Sequence, residues 1–171
     1  MSSRSSPAGM RPPWMLPGAI ILTIGVVVWL LVDEAGPLSV GSKMSPLAAT
    51  VDGRPAFIGA DSGSPQVIML FSPECQHCER QLRLFESHPQ DLQGVKLTFL
   101  SLGDPADVPE RPRLRSLPSA VIGTIDRGQA RERFGRFVVP LLLVIDRRGF
   151  VKKRMSGVTE IEQIVSVLGN I

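Results

Sequence analysis

An α/β fold, with a mixed central sheet flanked by helices and preceded by one N-terminal transmembrane helix, is what this 171-residue sequence predicts. Three observations lead there. A long apolar run near the N-terminus carries no charge and shows no polar face. Short apolar runs of strand length then alternate with amphipathic helical patterns, which argues for parallel pairing. A late pair of runs joined by a tight turn argues for an antiparallel sheet edge.

Residues 1–13 are rich in Ser, Pro, Gly and Arg and read as a disordered cytoplasmic tail. Residues 14–32 contain no charged side chain, and Thr23 is their one polar side chain. At about 1.5 Å per residue this run nearly matches the ~30 Å hydrocarbon core of a bilayer. It reads as a transmembrane signal anchor. Arg4 and Arg11 precede it, whereas Asp33 and Glu34 follow it. Positive charge stays inside, so the remainder is expected outside the cytoplasm, on a single-pass protein of the cell membrane. A cleaved signal peptide is the rival. It would have a shorter apolar region of about 7–15 residues and a small-x-small site, and Asp33 spoils that pattern before Ala35. Residues 33–46 contain Gly36, Pro37, Gly41, Ser42, Ser45 and Pro46 and are expected to form a flexible linker.

The formal net charge is +3. Two arginines lie in the N-terminal tail and every acidic residue follows the apolar run, so the rest of the chain is close to neutral. The densest basic cluster, Arg147-Arg148 with Lys152-Lys153-Arg154, brackets a turn and a strand. It reads as a charge-protected sheet edge and not as a nucleic-acid surface, which would carry a denser basic face with aromatics.

Residues 47–171 are expected to form the extracytoplasmic domain. Runs at 48–51 and 55–58 flank Asp52-Gly53, a hairpin signal. Residues 66–71 form a continuous apolar run, as in a strand buried on both faces. A helical pattern with Leu82, Leu84 and Phe85 follows and ends before Pro89; 95–102 is a second buried strand. Pro105, Pro109, Pro112 and Pro118 forbid a long helix next. A short strand at 119–125, a helix at 128–134, a strand at 141–145, the turn Asp146-Arg147-Arg148-Gly149 and a strand at 150–155 complete the sheet. Thr159 with Glu162 predicts a capping box for a last helix with Ile161, Ile164, Val165 and Leu168 on its apolar face.

The chain has two cysteines, Cys75 and Cys78. A disulfide this close in sequence does little as a staple, because its stabilisation grows with loop length; an inert structural bridge is the bland alternative. Structural zinc would need four ligands, and only His77 and His88 accompany the two cysteines. The pair directly follows a strand and opens a helix. Unpaired N–H groups and the positive end of the helix dipole stabilise a thiolate there. Cys75 is then the exposed nucleophile, and Cys78 resolves the mixed disulfide. His77 can donate a hydrogen bond or positive charge to the Cys75 thiolate; the alternative is a plain surface residue. No cofactor or resident metal is expected.

The strand Val67-Ile68-Met69-Leu70-Phe71, the link Ser72-Pro73-Glu74 and the motif Cys75-Gln76-His77-Cys78 resemble the active-site approach of thioredoxin-like proteins. Phe137-Val138-Val139-Pro140, the apolar strand after it and Asp146-Arg147-Arg148-Gly149 resemble that family's cis-proline, strand and D-x-x-G hairpin. With the anchor and the opening hairpin, the chain is most similar to the TlpA/ResA group of membrane-anchored thiol–disulfide oxidoreductases, including the MauD type. The resemblance implies a thioredoxin-like fold and thiol–disulfide exchange on exported proteins, in maturation of c-type cytochromes or disulfide-rich enzymes. It implies that Pro140 is cis and that Val139 and Gln76 meet the substrate. It also implies an upstream membrane redox donor or acceptor. Met69, Glu74 and Leu141 depart from the acid, tryptophan and threonine frequent at these positions. The active-site histidine is similar to that of DsbA-type oxidants, whereas the scaffold is similar to reductases. A thioredoxin-like metal carrier or partner-binding module without turnover is the alternative function.

Overall fold

The computed structural model describes residues 38–59, 63–103 and 112–171. The expected tail and transmembrane anchor, at 1–13 and 14–32, lie outside these residues. Among the described residues no helix is long and apolar enough to cross a membrane.

Local chemistry sets the strands. Asp52 and Gly53 take φ of 49° and 73°, the left-handed pair that closes a two-residue hairpin. That turn joins β1 (Leu47–Val51) to β2 (Arg54–Ile58) in antiparallel register. The predominantly apolar runs become the centre of the sheet. β3 (Gln66–Phe71) and β6 (Leu141–Ile145) are buried at every position, and β4 (Lys96–Leu102) at all but its first. β5 (Ala120–Ile125) and β7 (Val151–Ser156) complete one seven-stranded sheet in the order β2-β1-β5-β4-β3-β6-β7. β3 and β4, and β4 and β5, pair in parallel. The late strands β6 and β7 pair antiparallel, as does β6 with β3. β7 therefore ends the sheet, with Lys152 and Lys153 exposed on it.

Among the described residues four α-helices cover the two faces: α1 (Gln76–Ser87), the short α2 (Pro112–Arg115), α3 (Arg127–Phe134) and α4 (Ile161–Leu168). On one face Cys78, Leu82 and Phe85 of α1, with Ile161 and Ile164 of α4, pack on Val67, Met69, Leu97, Phe99 and Leu142. On the other, Ala130 and Phe134 of α3 pack on Ile68, Leu70, Leu100 and Leu143. Asp126 caps α3, its Oδ1 accepting from Gln129 N–H at 3.0 Å.

Two expectations change. The described part of the linker, 38–46, is docked and not a free tether. Leu38 and Met44 are buried in the second core. Leu38 N–H donates to Arg133 O at 2.8 Å, Gly41 N–H to Val151 O at 2.8 Å and Met44 N–H to Gly149 O at 2.8 Å. Glycine and serine composition pointed to flexibility, but two apolar side chains with backbone partners outweigh it. The capping box is also absent. α4 takes Glu160 as its N-cap without a side-chain bond. Thr159 is buried instead, and its backbone N–H and C=O are both held by Gln81 of α1.

Candidate functional site

The strand β3 delivers the chain to the rim of the sheet, where Ser72-Pro73-Glu74 turns it into α1. Cys75 N–H donates to Ser72 O at 3.1 Å, closing that turn. Cys75 is itself the N-cap of α1. Its Sγ accepts from Cys78 N–H at 3.1 Å, standing where a serine or aspartate oxygen usually caps a helix. The sulfur thus sits at the positive end of a twelve-residue helix, against an otherwise orphaned N–H. Cys75 and Cys78 are joined as a disulfide, with Cα atoms 5.2 Å apart.

The two sulfurs have different surroundings. Cys78 is 1% exposed and packs with the first core, whereas Cys75 is only partly buried. Cys75 Sγ lies 3.8 Å from Val139 O. Val139 and the buried Pro140 come from the loop before β6, and the peptide bond between them is cis. The fold brings this loop to the cysteines because β6 pairs with β3 in antiparallel register, Leu141 opposite Leu70. The residue before Val139, Val138, is 70% exposed, an apolar side chain left at the surface.

Gln76 and His77 occupy the first turn of α1 and are exposed. Among the described residues the His77 side chain makes no hydrogen bond, so the oxidised structure does not join it to Cys75. Met69, on β3, is fully buried against Phe99 and Leu142 as its strand neighbours. It supplies no carboxylate beneath the pair. His88 is at the opposite end of α1, its Nδ1 2.9 Å from Leu84 O, about 20 Å along the helix from Cys75. Among the described residues no group of three or more His, Cys, Asp or Glu is placed to hold a metal ion.

Several features were not anticipated from sequence. Ser72 Oγ donates to Glu74 Oε2, and this bond, with the Glu74 backbone N–H and the charge of Arg127, holds the Glu74 carboxyl below its ordinary range. A fixed negative charge therefore adjoins Cys75. The Gln81–Thr159 clamp, three residues after Cys78, ties α1 to the segment entering α4. Gln81 is a polar residue in the apolar stripe of α1, and that mismatch was its signal.

No family model matches the chain, and no curated protein matches it. Solved structures do. A peroxiredoxin-like protein from Aquifex aeolicus superposes with a TM-score of 0.61 at 18% identity, over 80% of this chain and 90% of that one. A putative thiol:disulfide interchange protein DsbE from Chlorobium tepidum gives 0.58 at 19% identity, over 77% of this chain and 99% of that one. A secreted disulfide oxidoreductase from Mycobacterium tuberculosis, homologous to E. coli DsbE, gives 0.59 at 12% identity, over 73% and 96%. At identities this low the likeness shows the fold: the described domain has the thioredoxin-like α/β architecture, with a C-x-x-C disulfide at the start of its first helix.

Proposed function

We propose that this protein exchanges thiols and disulfides with exported proteins, with Cys75 as attacking sulfur and Cys78 as resolving sulfur. The observation that carries the reading is the unequal exposure of two sulfurs at one helix N-terminus. In the reduced protein the Cys75 thiolate would be stabilised by the Cys78 N–H and the helix dipole. It attacks a partner disulfide, one partner sulfur leaves as thiol, and Cys78 then attacks Cys75 Sγ to release the second. The partner is reduced by two electrons and the protein oxidised by two; the reverse sequence oxidises the partner. Val139, Pro140 and Gln76 border the sulfur and form the surface on which the partner chain lies. His77 tunes the thiolate once the bond is reduced.

The finer reading follows the resemblance. The chain is anchored by 14–32 with its domain outside the cytoplasm. It draws on a membrane redox donor or acceptor and serves maturation of c-type cytochromes or disulfide-rich enzymes, as in the TlpA/ResA and MauD types. The secreted nature stated for the Mycobacterium tuberculosis protein supports that side of the membrane. A metal carrier is less well supported, because His88 lies at the far end of α1 from the cysteines.

Trapping tests the proposal. The full chain carrying Cys78→Ala should accumulate mixed disulfides with exported proteins, which dissolve under reducing electrophoresis, while Cys75→Ala should trap few. Absence of adducts in Cys78→Ala, where the parent is active, would sink the assigned order of attack. Adducts only with cytoplasmic proteins would invert the topology.

A further inference from the structure

We propose that the cleft beside the disulfide, lined by Leu102, Arg127, Arg131, Arg136, Phe137 and Val139, receives the segment around a partner protein's cysteine, and that this segment is acidic. The inference rests on the exchange reading and adds the charge of the substrate chain to it.

The cleft has a volume of about 710 Å³. Val139 belongs both to its wall and to the redox site, where its carbonyl oxygen is 3.8 Å from Cys75 Sγ. A chain whose sulfur reaches Cys75 across Val139 therefore continues into this space. Three arginines flank it. Arg127 and Arg131 are one turn apart on α3 and share a face. Arg136 follows Gly135, which ends α3 with a φ of 65° and lines the cleft with it.

Two of these charges are not used by the fold. Among the described residues, the exposed side chains of Arg131 and Arg136 form neither an ion pair nor a hydrogen bond, whereas Arg80, Arg83, Arg115 and Lys152 each face a carboxylate. Arg127 Nε donates to Leu102 O at 3.2 Å and lies near Glu74, which Ser72 already engages. Of the acids on or beside α3, Asp126 is spent capping the helix, and Glu132 is displaced about 100° around it from Arg131. Like charges at i and i+4 weaken a helix, so Arg131, one turn from Arg127 and without a partner of its own among the described residues, points with Arg136 to an external anion. Guanidinium groups suit carboxylates, which they bind through paired N–H bonds. The apolar wall of Leu102, Phe137 and Val139 suits a polypeptide more than a free inorganic ion.

The test uses the reduced full chain in detergent and three synthetic peptides with one internal disulfide, flanked by glutamates, glutamines or lysines. Single-turnover rates are divided by the rate with neutral bis(2-hydroxyethyl) disulfide for the same variant, which separates docking from any loss of fold. At low ionic strength the glutamate peptide should react about tenfold faster than the lysine peptide, and salt should shrink that ratio. Arg131→Glu combined with Arg136→Glu should invert it, and Arg131→Gln with Arg136→Gln should bring it close to one. Equal rates for the three peptides, with the neutral disulfide still reacting, would overturn the inference and leave the exchange reading standing. A preference that both double variants retain would move the recognition elsewhere and also overturn it. Faster reaction with oxidised glutathione than with any peptide would assign the cleft to a small carboxylate-bearing disulfide and overturn the inference. No reaction with any disulfide would overturn the exchange reading itself.

Discussion

Replacing Gln81 with leucine should cost the domain much of its stability, although the change keeps the volume and adds apolar character. Gln81 is fully buried. Its Nε2 donates to Thr159 O at 3.0 Å and its Oε1 accepts from Thr159 N–H at 2.7 Å. Leucine makes neither bond, and it leaves one donor and one acceptor of a buried backbone without partners. Each such group costs about 1–3 kcal/mol, or roughly 2–6 kcal/mol for the pair. Burying the new apolar side chain returns about 1–2 kcal/mol. The expected net loss is therefore about 0–5 kcal/mol with a central value of roughly 2–3 kcal/mol, a large part of the ~5–15 kcal/mol typical of a domain.

The assay is urea unfolding of the full chain, followed by circular dichroism. With a slope of about 1–3 kcal/mol per molar, the midpoint should fall by roughly 1–2 M. Gln81→Glu gives a second readout. Only a protonated carboxyl can both donate to Thr159 O and accept from Thr159 N–H, so its folded pKa should lie above the unfolded value of about 4.3. Its stability should then be greatest at low pH and fall as pH rises through the folded value. A Gln81→Leu midpoint within about 0.3 M of the parent, or a Gln81→Glu variant indifferent to pH, would refute the clamp.

Asp146 should show the opposite pH sign. Burial pushes its carboxyl up, but the Phe150 N–H, Lys152 and the Arg148 N–H outweigh this and hold it below the ordinary range. Its contribution is present above the unfolded pKa of about 3.9 and is lost as pH falls through the folded value. The parent's advantage over Asp146→Asn in urea titrations should vanish over that window, and a constant difference down to the lowest pH would contradict this. Gly123→Ala should loosen β1 from β5, because its Cβ would stand 2.6 Å from Thr50 O. A loss of about 1–3 kcal/mol, with faster amide exchange across residues 47–58 and unchanged protection in α1, is the expected pattern. His77→Ala should make the disulfide harder to reduce by at least about 30 mV, equal to about 1.4 kcal/mol; an unchanged equilibrium with glutathione would remove His77 from the mechanism.

What the sequence determined by itself is local. Continuous apolar runs mark β3, β4 and β6 as central strands, because a strand covered on both faces needs apolar residues at both parities. Asp52-Gly53 specifies its turn through the backbone angles it tolerates. Cys75 and Cys78 belong to one helix turn, so their pairing is legible from their spacing. Tertiary structure decided whatever joins residues far apart in the chain. The insertion of β6 beside β3, which sets Val139 against Cys75, depends on pairing across about seventy residues, and periodicity carries no information on partners. The docking of 38–46 depends on a free place in a core formed by other elements. Thr159 looked like a cap because that motif is read within four residues, but a buried glutamine 78 positions away satisfied the same backbone groups. Arg127 and Arg131 carry no signal of their own in the sequence; the fold places them along the cleft that shares Val139 with the redox site. Sequence patterns report what each segment can bury; the sheet and its helices determine which segments meet.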